Sequence, residues 1–145
     1  MTKVCYNSCF GGFGLSKEAV QRYFDIKGQQ VWIEDDKEFK SLEIFTVWLV
    51  PPNERQESKE GESFYSMSAE ERIAYNQKDS EQTWDYNRIS RHDSILIQVV
   101  EELGEKANGR HANLRITEVQ SKYRIDEYDG NESVETPDSY DWITP

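Results

Sequence analysis

Apolar positions recur along this chain with two different periods, and the switches between them mark its elements. Ala19, Val20, Tyr23 and Phe24 fall one helical turn apart, so Lys17 to Lys27 is predicted as an amphipathic helix. Ser16 is placed to cap its first-turn amides and Gly28 to end it. A wider stripe of Ile95, Leu96, Val99, Val100, Leu103 and Ala107 predicts the strongest helix. Asp93 is its expected N-cap and Gly109 its expected stop, with Gly104 inside it for close packing. Alternating or branched runs predict strands at Val4–Ser8, Gln30–Glu34, Leu42–Val50, Ala112–Val119 and Tyr123–Tyr128. Asp129-Gly130 suits a two-residue hairpin turn, which lets Asn131–Glu135 pair back as an edge strand.

Other stretches carry weaker signals. Asn53 to Ser63 is polar and aperiodic, a loop or insertion. Ser68-Ala69-Glu70-Glu71 has capping-box spacing, so a short helix is expected from Ala69 to about Gln77, with a thin stripe of Ile73 and Ala74. Gln77 to Gln82 reads as loop, after which Trp84 and Tyr86 return to the core. Helices and strands do not alternate strictly, so the expected class is α+β. It is read as a single domain over 1–135, a mostly antiparallel sheet with two main helices on one face. A polar insertion spans 53–83, and an acidic tail spans 136–145, where Trp142 and Ile143 are the residues able to dock it.

Charge narrows the function. The 145 residues carry a net charge of −11, which argues against phosphate-directed binding of nucleic acid and against an anionic membrane surface. It favours a basic partner. The first residues lack the apolar core of a signal peptide, and no apolar run reaches the length of a spanning helix. Cys5 and Cys9, four apart on a strand, would lie about 13 Å apart, beyond disulfide reach. Two reduced thiols and a cytoplasmic setting are expected.

The stretch richest in candidate chemistry is the glycine run before the first helix. Gly11, Gly12, Gly14 and Ser16 offer backbone amides at a helix start, a place where phosphate can bind. The run lacks the Gly-Lys-Ser/Thr ending of a phosphate loop and the spacing of a dinucleotide fingerprint. The plain alternative is a tight connection that only glycine permits. Phe10 and Phe13 flank it, as core anchors or as a platform for a base, the core being favoured. Arg91 and His92, before the strong helix, are the cation and proton carrier able to join a phosphate ligand there; the plain reading is that Asp93 caps the helix and Arg91 offsets local acidity. A nucleophilic Cys9 paired with His92 or His111 lacks any spacing that brings them together. Two Cys and two His match no familiar zinc spacing, so neither a metal nor a cofactor is expected.

After Arg124 the chain has no Lys or Arg. Asp126, Glu127, Tyr128, Asp129, Tyr140, Asp141 and Trp142 make a candidate partner-binding surface, whose plain alternative is a solvated tail.

Two segments resemble a family of small bacteriophage and other viral proteins. One is Cys9-Phe10-Gly11-Gly12-Phe13-Gly14-Leu15-Ser16; the other runs from Ile89-Ser90-Arg91-His92-Asp93 through Val99-Val100-Glu101-Glu102-Leu103-Gly104 to Asp126-Glu127-Tyr128-Asp129-Gly130. Residues 34–86 do not share the likeness. Where relatives often carry Asp-Asp-Pro, this chain has His92-Asp93-Ser94, which speaks for Asp93 as a cap and against a catalytic His92. The resemblance implies a virus-encoded accessory protein and brings no activity or cofactor. The expectation is therefore a non-enzymatic protein of the bacterial host cytosol that binds a host factor with a basic surface, such as a defence component. The alternative is a protein that binds a nucleotide or other phosphate ligand at the glycine turn.

Overall fold

A computed structural model describes residues 1–37, 44–59, 61–139 and 144–145. The chain is α+β, and among the described residues every strand pairs antiparallel. It divides into two compact units, Met1–Gln29 with Tyr86–Pro145, and Gln30–Asp85.

The first unit is built on β1 (Thr2–Asn7) and β5 (Leu114–Val119), which pair from Thr2↔Val119 to Asn7↔Leu114. Between them in sequence come α1 (Lys17–Lys27) and α4 (Ser94–Leu103). The apolar stripe of α1 packs on α4, and α4 lies on β1 and β5. Val4, Val20, Phe24, Leu96 and Val99 are fully buried there, each such side chain stabilising the fold by about 1.5–3 kcal/mol. Both helix starts form as their sequences predict. Ser16 Oγ accepts the Ala19 amide at 3.1 Å, and Asp93 Oδ1 accepts those of Ile95 and Leu96 at 2.9 and 3.0 Å. Gly28 ends α1 with φ +76°.

The end of α4 differs from expectation. Gly104 takes φ +58°, ψ −128° and stops the helix, and a 3-10 turn over Gly104–Ala107 carries the chain onward. No atom lies within 4 Å of where its side chain would be, so backbone conformation, not close packing, requires glycine here. β6 (Arg124–Tyr128) and β7 (Asn131–Glu135) form the expected hairpin. Asp129 at φ +50° and Gly130 at φ +84° make the two-residue turn in its type I′ form. β7 lies against β1.

The second unit carries β2 (Trp32–Asp35), β3 (Phe45–Trp48) and β4 (Thr83–Trp84) in the order β2-β3-β4. Among the described residues, pairing is thus shared among three small sheets rather than gathered in one. The first residues of the expected Leu42–Val50 strand, Leu42 and Glu43, lie outside the described residues. A helical turn, α2 (Glu62–Tyr65), forms within the stretch read as polar insertion. The helix begun by Ser68, whose Oγ accepts the Glu71 amide at 3.1 Å, is α3 (Ala69–Gln82), longer than its thin apolar stripe suggested. Ile73 is 67% exposed. The inner side of α3 is polar instead: Gln82 is buried, its Oε1 accepting the Gln56 amide at 3.2 Å, and Tyr75 Oη accepts the Lys59 amide at 2.9 Å. Hydrogen bonds, which hydrophobic periodicity does not report, hold the helix through its last turn. Arg55 lies 4.1 Å over the Trp48 ring and pairs with Glu34 at 2.8 Å.

Candidate functional site

The glycine run is a junction where three stretches of backbone meet in the first unit. A side chain on Gly11 would collide with the His111 backbone, one on Gly109 with Gly14, and one on Gly130 with Gly12. Gly109 donates its amide to the Gly14 carbonyl at 2.9 Å. Ser16 adds a second tie, its hydroxyl donating to the Lys106 carbonyl at 2.6 Å.

At the centre of the junction is Asn7, fully buried. Its Nδ2 donates to the carbonyls of Cys9 and Gly130, both at 2.8 Å. Its Oδ1 accepts the Asn113 amide at 2.8 Å. Its own amide donates to Glu132 Oε1 at 2.8 Å. A buried amide side chain satisfied on both ends fixes neighbouring segments in one arrangement. Sequence reasoning passed over Asn7; the available signal was a polar amide directly after the Val4-Cys5-Tyr6 run of β1.

Arg91 and Glu132 complete the junction. Arg91 Nη1 and Nη2 donate to Glu132 Oε1 and Oε2 at 2.6 and 2.9 Å, with the side chains only 18% and 8% exposed. The guanidinium also stacks 3.6 Å from the Phe13 centroid, and Phe13 meets Tyr86 edge-on at 6.0 Å. Glu132 lies in the acidic stretch after Arg124, yet it turns inward, where Arg91 and the Asn7 amide donate to its carboxylate.

The six candidate ligand residues therefore separate. Gly11, Gly12 and Gly14 pack against other backbone, Ser16 caps α1, and Arg91 is held by Glu132. His92 is exposed, its Nδ1 2.7 Å from Tyr123 Oη, with Ser90 Oγ at 3.0 Å. It borders an open groove of about 570 Å³ floored by Ile97. The charges along that groove are paired, Lys3 with Glu101 at 3.0 Å and Arg22 with Glu102 at 2.9 Å. Arg22 holds the Glu102 carboxyl below its ordinary range.

Both cysteines are free thiols. Burial pushes the Cys5 thiol up to about 12, with Arg91 lowering and Glu132 raising it more weakly, so it is no nucleophile near neutral pH. Cys9 Sγ donates to the His111 carbonyl at 3.0 Å. Among the described residues no His, Cys, Asp and Glu gather as a metal site, and no helix is long and apolar enough to cross a membrane.

One partner-binding candidate joins these ties, since Glu127 Oε1 accepts the Gly130 amide at 3.0 Å. Asp126, Glu127, Tyr128 and Asp129 are exposed along the second half of β6 and into the hairpin turn, Tyr128 by 79%. Tyr140, Asp141 and Trp142, with Ile143, lie outside the described residues. Phe10, expected in the core, is 66% exposed: the turn packs through backbone, which leaves the ring outside. No protein-family model matches the chain, nor does any curated protein or any solved structure.

Proposed function

We propose that this chain is a non-enzymatic, virus-encoded accessory protein that binds a basic host protein through the tip of the β6–β7 hairpin. The observation that carries this reading is the exposed set Asp126, Glu127, Tyr128 and Asp129 on a hairpin that Glu132, opposite Glu127 and next to the turn, fastens to Arg91 and Asn7. A tip held rigid loses little conformational freedom on binding. A net charge of −11 draws a basic partner toward it. The likeness of the Cys9–Ser16 and Ile89–Gly130 segments to small bacteriophage proteins supports a viral origin and a bacterial host cytosol as the place of action.

An amide-resolved NMR titration with a hexalysine peptide tests the reading. The amides of residues 126–129 are expected to shift at low salt, and the shifts to fade as added salt brings the screening length to about 8 Å. Shifts confined to other acidic segments, such as the first turn of α3, would overturn it.

A further inference from the structure

We propose that Phe10 and Tyr128 together anchor this surface and take arginine side chains of the basic partner. The inference rests on the hairpin reading above and adds a residue outside the acidic stretch. Both rings are exposed, Phe10 by 66% and Tyr128 by 79%. They sit on loops that are stitched together. The Asn7 side-chain Nδ2 donates to the carbonyl of Cys9, the residue before Phe10, and to that of Gly130, two residues beyond Tyr128. Gly12 and Gly130 touch through backbone alone. Two large rings are thus displayed from one fixed junction.

The surroundings point to the chemistry of the cover. On the hairpin side, the exposed Asp126 shares the β6 face of Tyr128 and the exposed Asp129 follows in the turn; beside Gly11 are the exposed Arg110 and His111. The carboxylates place an incoming cation on the hairpin side. A guanidinium is the cation that stacks flat on a ring while sharing a carboxylate in two-point fashion. The junction already contains that arrangement, with Arg91 between the Phe13 ring and Glu132. A second copy of this chain is the poorer occupant, since each copy carries −11.

The test compares labelled hexaarginine and hexalysine by fluorescence anisotropy on the intact protein, on Phe10→Leu/Tyr128→Leu, and on Asp126→Asn/Asp129→Asn. Leucine keeps apolar bulk but has no ring face, and neither ring belongs to the core. The leucine variant is expected to lose roughly tenfold in hexaarginine affinity and less than about twofold for hexalysine. The asparagine variant should weaken both peptides. Unchanged hexaarginine binding by the leucine variant, with the asparagine variant still weakened, overturns the aromatic anchor and leaves the hairpin reading standing. Peptide binding that neither variant alters overturns both.

Discussion

Arg91 on the loop before α4 and Glu132 on β7 meet through two hydrogen bonds, 2.6 and 2.9 Å long, across 41 positions of sequence. The pair joins the hairpin to the glycine junction, and it uses inside the fold the one cation that a phosphate reading of the turn needs. Removing one member strands the other in a poorly solvated place. Glu132→Ala is expected to cost about 3 kcal/mol, read as a lowered urea midpoint. Arg91→Met/Glu132→Met should cost less than the sum of its single changes, because neither charge is then left alone.

The junction's glycines should respond to added methyl groups according to what lies nearby. A side chain on Gly109 would sit 2.7 Å from the Gly14 carbonyl carbon, whereas one on Gly12 meets nothing within 4 Å and strains only its φ of +91°. Gly109→Ala is expected to destabilise by roughly 1–3 kcal/mol through overpacking. Gly12→Ala should cost about 1–2 kcal/mol through its left-handed backbone. Equilibrium unfolding of the two variants gives both values.

Cys5 makes stability depend on alkaline pH. Burial pushes its folded thiol up to about 12, above the ordinary thiol value of 9.0. The neutral thiol is favoured in the fold, so this contribution is fully present below pH 9.0 and is lost as pH rises toward 12. Denaturation midpoints should therefore fall across that window, and less steeply in Cys5→Ala. A thiol-reactive dye at neutral pH should label Cys9 faster than Cys5, with both labelled alike in denaturant.

Asp93 is a cap and His92 is a surface side chain, and a pair of substitutions separates those roles. Asp93→Ala frees two first-turn amides of α4 and should cost about 1 kcal/mol. His92→Ala removes an exposed contact with Tyr123 and should stay within about 0.5 kcal/mol of the parent. Thermal unfolding distinguishes them.

What the sequence disclosed was local. The stripe of α1, the caps at Ser16, Ser68 and Asp93, and the Asp129-Gly130 turn all depend on neighbours within a few positions, so spacing alone revealed them. Glu132 looked like one more solvated acid because its partners, Arg91 and Asn7, are 41 and 125 positions away. Phe10 looked like core because composition does not say that a turn packs through its backbone. Gly104 carried a helix-interior signal from its apolar flanks, and only its backbone angles disclosed a stop.

The commitment of Arg91 to Glu132, and with it the role of the glycine run as a joint, is tested most directly by thermal shift of the intact protein with pyrophosphate and with ATP. The account predicts no change in melting temperature at any concentration of either. A saturable rise, which a phosphate site would produce as about 2.7 kcal/mol at a hundred times its dissociation constant, and its loss in Arg91→Met, would contradict it.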